Sequence, residues 1–321
     1  AVLALNGGAD GDITVEDSLM LTNQGILLFP AVGDQRIVTV QDKLLCNFYG
    51  NANNNSIEVE TGGVNTDPAH QLILYGDMDM AASDLTFWTD PTNRAVDLYF
   101  RGTEDAQVID DADGTSNISL NRLIVDKYTG KYLNFYEEFT LNGVTDAFPK
   151  ALELVSGNLN LENSNIDVDL STGGSDFTIP SESVLELNQS TVNISGNNTG
   201  LKLDGTLIIG DQSSALLNQG TNNYIEYSSS GNAQIDVYNG ELRVGSQIRR
   251  SLNTNQGILK FHQLDAGSTV SVGEVDASEG NRGVFEILNS GSEFTQVDDA
   301  NITIVRQQAT PSVAALLFEP E

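Results

Sequence analysis

The sequence has few of the residues on which several classes of functional site depend. Its 321 residues include one cysteine, Cys46, and two histidines, His70 and His262. A single cysteine excludes an internal disulfide framework and any zinc site built on cysteines. No apolar run approaches the roughly 18 residues of a membrane-spanning segment, so we expect no membrane insertion.

Positive charge is also scarce. The chain has 15 lysines and arginines against 45 aspartates and glutamates, which gives a formal net charge of −30. Such a field repels phosphate, so nucleic acid and anionic membranes are poor partners. The same field opposes the binding of a polyanionic sugar.

Short alternations of apolar and polar residues are abundant. Bursts such as Val96-Asp97-Leu98, Ile118-Ser119-Leu120 and Leu242-Arg243-Val244 place two apolar side chains on one face and a polar one on the other. Asn, Gly, Ser and Asp separate the bursts, and no window carries an apolar stripe over three helical turns. The pattern predicts an all-β protein of many short strands.

Repetition favours a solenoid over a sandwich. The segments 205–210, 240–245 and 267–273 share a glycine, an apolar-x-apolar core and a second glycine, at intervals of roughly 28 to 35 residues. We therefore predict a right-handed parallel β-helix, with coils of roughly 20 to 30 residues and about eleven to sixteen turns. Asparagine-rich turns such as 53–55 could form hydrogen-bonded ladders, or could equally be simple exposed loops.

Two parts of the chain differ in regularity. Residues 111–321 carry the regular bursts, whereas residues 1–110 have more aromatic side chains and longer polar gaps. The first part is predicted to form irregular coils of the same solenoid, with a small β-sandwich-like domain as the alternative. The chain begins at Ala1 without a basic leader and ends without a polar closing segment, which favours a fragment of a longer protein.

No catalytic constellation stands out among the polar residues. Carboxylate pairs are unavoidable with so many acids, and neither histidine lies in a recognisable metal or triad motif. We expect His70 and His262 to be surface or turn residues, and Cys46 to be a small buried hydrophobe. Arg249-Arg250 is predicted to lie in a turn as a local partner of outer-face acids. Trp88 could stack on a sugar, although core packing is the favoured interpretation.

Calcium is the best-supported ligand hypothesis. Asp110, Asp111 and Asp113 precede Gly114, and oxygen-rich turns with glycine suit this hard cation. The run lacks the spacing of an EF-hand, so a solvated acidic turn is the alternative. No other cofactor is predicted.

Residues 117–168 carry a further pattern. Ile118-Ser119-Leu120 opens a strand, Asn142-Gly143 closes another, and Ser156-Gly157-Asn158-Leu159 closes a third. This style of coil resembles very large secreted surface proteins of Bacteroidetes-type bacteria. The resemblance implies an adhesin or a gliding-motility surface protein, exported by the type IX system.

Together these patterns predict a non-catalytic structural or adhesive segment of a large secreted bacterial cell-surface protein. Its expected partners are further coils of the same polypeptide, the export or anchoring machinery, and surface glycans. The alternative is a carbohydrate-active β-helix enzyme, either a polysaccharide lyase or a glycoside hydrolase, which needs carboxylates clustered on one face of adjacent coils. Acids from neighbouring coils converging beside Trp88 or His262 would favour that alternative.

Overall fold

In a computed structural model, the described part of the chain consists of strands and turns. The described residues are 2–5, 11–22, 24–47, 55–60, 68–80, 85–87, 94–109, 117–142, 151–162, 165–169, 177–195, 200–217, 223–228, 232–252, 257–275, 283–305 and 315–319. These ranges contain no helix long and apolar enough to cross a membrane. Two compact units divide the chain, Ala1–Ser164 and Asn165–Glu321.

The first unit is a parallel β-helix with three faces. Its strands are β1 (Val2–Ala4), β2 (Ile13–Val15), β3 (Leu19–Thr22), β4 (Ile26–Phe29), β5 (Ile37–Val40), β6 (Leu44–Asn47), β7 (Asn55–Val59), β8 (His70–Leu74), β9 (Met78–Asp79), β10 (Leu85–Thr86), β11 (Val96–Gly102), β12 (Ala106–Ile109), β13 (Asn117–Leu120), β14 (Leu123–Lys127), β15 (Tyr132–Phe135), β16 (Glu138–Leu141), β17 (Leu152–Ser156) and β18 (Asn158–Glu162). Each strand from β1 to β15 pairs with the strand three positions later, and three consecutive strands therefore make one coil. The faces are β1-β4-β7-β10-β13-β16, β2-β5-β8-β11-β14-β17 and β3-β6-β9-β12-β15-β18.

The core of the first unit consists of columns of apolar side chains. The alternation in each strand points every second residue inward, and parallel pairing stacks the inward residues of successive coils. On the second face one such column runs through Val38, Leu72, Leu98, Leu123 and Leu152. Each of these side chains is at most 2% exposed. A coil thus buries its inner face only because its neighbours cover it.

The second unit repeats this architecture. Its strands are β19 (Asn165–Asp169), β20 (Phe177–Ile179), β21 (Val184–Asn188), β22 (Thr191–Ser195), β23 (Leu201–Leu203), β24 (Thr206–Ile209), β25 (Ser214–Leu217), β26 (Tyr224–Tyr227), β27 (Asn232–Val237), β28 (Glu241–Val244), β29 (Gln247–Arg250), β30 (Ile258–Gln263), β31 (Thr269–Val272), β32 (Phe285–Leu288), β33 (Glu293–Gln296), β34 (Asn301–Ile304) and β35 (Leu316–Glu319). They form the faces β19-β22-β25-β28-β31-β34, β20-β23-β26-β29-β32-β35 and β21-β24-β27-β30-β33.

Aromatic residues fill the core towards the later coils of the second unit. Phe261 and Phe294 face each other in register and stack, with ring centroids 5.8 Å apart and planes at 8°. Phe285 meets Phe261 edge-on at 5.0 Å. These offset and edge-to-face contacts add to the burial of each ring.

The predicted parallel β-helix is confirmed in both units. All described pairings of β1 to β12 are parallel, so these strands of the first 110 residues belong to coils of the solenoid. The predicted boundary at residues 110/111 lies outside the described residues, as does most of the asparagine run 53–55. Its last member, Asn55, is fully buried and accepts a hydrogen bond from the Gly25 N–H of the preceding coil at 3.0 Å.

Candidate functional site

The predicted calcium ligands lie outside the described residues. This applies to Asp110, Asp111 and Asp113, and also to Trp88. Within the described ranges no group of three or more histidine, cysteine or acidic side chains could hold a metal ion.

The prediction that His70 is a surface or turn residue is wrong. This residue begins β8, is fully buried, and stacks on Phe29 at 5.1 Å. Its Nδ1 accepts a hydrogen bond from the Arg36 N–H at 2.8 Å, so Nε2 carries the proton and donates to the Pro30 carbonyl at 2.9 Å. Burial lowers the pKa of His70 to about 4. A neutral ring with both nitrogens bound to backbone has a structural role.

Two other sequence predictions have clear outcomes. Cys46 is fully buried, as predicted, and burial raises the pKa of its thiol. Arg249-Arg250 lies in β29 rather than in a turn, and Arg249 alternates with the inward Ile248. The predicted charge partners are present: Arg249 Nη2 lies 2.8 Å from Glu226 Oε1, and Arg250 Nε lies 3.6 Å from Glu286 Oε2.

The outer side of the second face of the first unit carries a charged network. Arg122 Nη1 lies 3.2 Å from Asp97 Oδ2 in the preceding coil, and its Nη2 lies 2.8 Å from Glu153 Oε2 in the following coil. Asn121 Nδ2 also donates to Asp97 Oδ1 at 2.6 Å. One guanidinium thus links side chains of three successive coils.

Asp97 is the most perturbed acid of this network. Its side chain is 4% exposed, and burial raises its pKa to about 6, although Arg122 and the Asn121 amide act in the opposite direction. Burial of Tyr99, assisted by the negative charge of Asp97, also raises the pKa of the Tyr99 phenol. Tyr99 accepts a hydrogen bond from Gln71 Nε2 at 3.3 Å.

A groove of about 290 Å³ opens at the end of this face. One column of side chains crosses it: Arg101 pairs in register with Asp126, and Asp126 with Ser156. Tyr75 directly follows β8, whose Leu74 pairs with Phe100. We call this set, together with Tyr128, the tyrosine groove; its lining residues are Tyr75, Arg101, Gly102, Thr103, Asp126, Lys127, Tyr128 and Ser156.

A second polar cluster lies on the third face of the second unit. His262, in β30, is 18% exposed in its side chain; its Nδ1 lies 2.8 Å from Asp236 Oδ1 and its Nε2 lies 3.5 Å from Glu293 Oε2. Gln234 Nε2 donates to Asp236 Oδ2 at 2.7 Å, and Lys260 Nζ lies 2.8 Å from Glu293 Oε1. Acids of two neighbouring coils therefore converge on His262, so this histidine is a strand residue in a network rather than a turn residue.

The sequence analysis did not single out the Asp97 network, and of the second cluster it named only His262, although part of the signal was visible. The alternation in 96–101 shows that Asp97, Tyr99 and Arg101 share the outward side of one strand. The residues they meet depend on pairing between coils, which the local pattern does not determine.

Comparison with known proteins gives no match to a family model, to a curated protein or to a solved structure. A fold of this kind does not define an activity by itself, because function resides in the sites that a fold carries. Any function assigned to this chain therefore has to rest on the geometry of the two networks and of the tyrosine groove.

Proposed function

We propose that this chain is a non-catalytic structural or adhesive segment of a large secreted bacterial cell-surface protein. The proposal is supported by how the chain uses its few cations. Eight lysine and arginine side chains of the described ranges pair with a carboxylate of a neighbouring coil: Lys43, Arg101, Arg122, Lys131, Arg243, Arg249, Arg250 and Lys260.

Other cations bind the backbone of neighbouring coils. Arg94 donates to the carbonyls of Pro68 at 2.8 Å and Gly33 at 2.9 Å. Lys127 is fully buried and donates from Nζ to the Arg101 carbonyl at 3.0 Å. Burial lowers the pKa of Lys127, against the raising effect of nearby acids. These side chains hold coils together, which is the requirement of a structural segment.

The outer edge of the coil formed by β1, β2 and β3 exposes apolar side chains. In the described part of the chain, β1, β2 and β3 each pair on one side only, and Val2, Leu3 and Met20 of this coil are 50% to 59% exposed. Unpaired strand edges with apolar side chains favour association with another strand. We propose further coils of the same polypeptide as the neighbours, with export or anchoring machinery as the other partner class.

The test of the non-catalytic role is a screen for product release from neutral and acidic polysaccharides. We expect no turnover above that of a heat-denatured sample. Robust turnover that Asp97→Asn or Asp236→Asn abolishes would overturn the proposal.

A carbohydrate-active β-helix enzyme is the second candidate, and the cluster around His262 favours it. Hydrolysis of a glycosidic bond uses two carboxylic side chains, one as acid and one as base or nucleophile. Asp236 and Glu293 flank His262 from neighbouring coils, as such a site would need. For this candidate, Asp236→Asn and Glu293→Gln should each remove turnover, whereas Glu241→Gln on another face should not.

A further inference from the structure

The tyrosine groove crosses several coils at the same point of each. Tyr75, Arg101, Asp126 and Ser156 come from four successive coils, so their spacing along the groove is the strand spacing of about 4.8 Å. This repeat is close to the length of one sugar ring in an extended polysaccharide. A linear glycan lying across the strands would therefore present one ring to each coil.

The floor of the groove is a fixed pair of charged groups. Arg101 Nε lies 3.0 Å from Asp126 Oδ2, and Ser156 Oγ lies 3.2 Å from Asp126 Oδ1 while it donates to the Lys127 carbonyl at 2.7 Å. About a third of each charged side chain remains exposed, 36% for Arg101 and 32% for Asp126. The pair offers guanidinium donors beside carboxylate acceptors, a combination that suits vicinal hydroxyl groups.

Tyrosine rings form the walls. Tyr128 is 67% exposed, which is high for a large aromatic side chain. The ring of Tyr75 lies against Gly102, where a Cβ atom would come within 3.0 Å of Tyr75 Cδ1. Gly102 has a φ of +110°, so a residue without a side chain also suits its backbone. The Tyr75 ring therefore occupies space that the side chain of any other residue at position 102 would fill.

The charges of the groove lining favour uncharged sugars over acidic ones. Arg101 is already paired with Asp126, and Lys127 directs its Nζ to backbone carbonyls, so no cation of the lining is left to neutralise a uronate or a phosphate. The net charge of −30 opposes any anion. An uncharged ligand with hydroxyl groups and an apolar ring face fits both the floor and the walls.

We propose that the tyrosine groove binds an uncharged, linear polysaccharide, with pyranose rings against Tyr75 and Tyr128 and hydroxyl groups on the Arg101–Asp126 pair. This inference rests on the adhesive role in the proposed function and gives that role a ligand class. It involves no bond making or breaking.

The test is calorimetric titration of the full chain with cellohexaose, mannohexaose and N-acetylchitohexaose, and with hexagalacturonate as the acidic arm. At least one neutral hexasaccharide should bind, and hexagalacturonate should bind at least tenfold more weakly. Tyr128→Ala should weaken binding by roughly two- to tenfold through the lost ring contact. Asp126→Asn should weaken it by about tenfold or more, because hydrogen bonds to a charged acceptor are lost.

The matched control is Tyr136→Ala, which removes another exposed tyrosine of the same unit that does not line the groove. This variant should bind like the unaltered chain, and circular dichroism should show that all three variants keep their strand content. The inference is overturned if no neutral hexasaccharide binds at about 1 mM. It is also overturned if both groove variants bind as tightly as Tyr136→Ala, or if hexagalacturonate binds best.

The outcomes separate this inference from the proposed function. Absence of binding removes the ligand but leaves a structural segment intact. Cleavage of a bound hexasaccharide, measured as new reducing ends, would overturn the non-catalytic role while retaining the groove as a binding site.

Discussion

Substitution of Asp97 by asparagine should remove part of the pH dependence of the free energy of unfolding. Burial raises the pKa of this carboxyl from 3.8 to about 6 in the folded chain, despite Arg122 and Asn121. The folded state therefore holds the proton more strongly than the unfolded state. The stability that this contributes is fully present below about pH 3.8 and is lost as the pH rises through about 6.

The magnitude follows from the same two values. The difference between 3.8 and about 6 corresponds to about 3 kcal/mol in total. About 2 kcal/mol of it falls between pH 4 and pH 7. Asparagine has nearly the same shape and cannot ionise, so Asp97→Asn removes this contribution while Arg122 keeps Glu153 as its partner.

The assay is urea unfolding followed by far-ultraviolet circular dichroism for both proteins at pH 4, 5, 6 and 7. All other titrating groups are common to the two, so the difference between their free energies of unfolding isolates Asp97. We expect the unaltered chain to lose about 2 kcal/mol relative to Asp97→Asn from pH 4 to pH 7. If it instead gains stability relative to the variant, Arg122 and Asn121 outweigh burial and the reasoning is refuted.

Two further predictions concern packing between coils. Arg249→Leu removes the 2.8 Å ion pair of the nearly buried Glu226 and should lower the free energy of unfolding by about 3 kcal/mol. Lys260→Ala breaks a half-exposed pair and should cost less than about 1 kcal/mol in the same urea assay. Gly157→Ala should destabilise by roughly 1 to 3 kcal/mol more than Gly130→Ala. Both glycines have a φ near +80°, but only at Gly157 would the new Cβ come within 2.6 Å of a lysine side chain of the neighbouring coil. Equal costs in either comparison would contradict the contact geometry.

The sequence was sufficient to predict the fold but not the pairing of particular residues. Period-two alternation is a local property, and it correctly indicated short strands with one buried face. The number of residues in each coil does not follow from this local alternation. Ile118 pairs with Phe139, whereas Ile248 pairs with Phe285, much further along the chain. Turns of different length set these offsets, so the alternation shows that Asp97 points outward without showing that Arg122 and Glu153 meet it.

His70 illustrates the same limit for a buried residue. Its two ring nitrogens bind the Pro30 carbonyl and the Arg36 N–H, which are backbone groups of another coil. Residues of almost any type can supply a backbone carbonyl or N–H, so the sequence does not reveal such partners. The pattern around His70 therefore gave no reason to expect a buried ring. The His262 cluster was different, because the sequence indicated that converging acids would matter there but could not show that Asp236 and Glu293 would be the neighbours.

Stacking coils of a strongly acidic chain raises an electrostatic difficulty, which the placement of its cations resolves. Strands of neighbouring coils are about 4.8 Å apart, so carboxylates at equivalent positions would repel one another along a column. In the second unit Lys202 lies opposite Glu226, and Glu226 lies opposite Arg249, so the sign of the charge alternates from coil to coil. Arg101 opposite Asp126 follows the same rule in the first unit. Few cations suffice to offset this repulsion because each acts at one strand spacing, where its attraction for a carboxylate is largest. The remaining acids can face solvent and oppose edge-to-edge association.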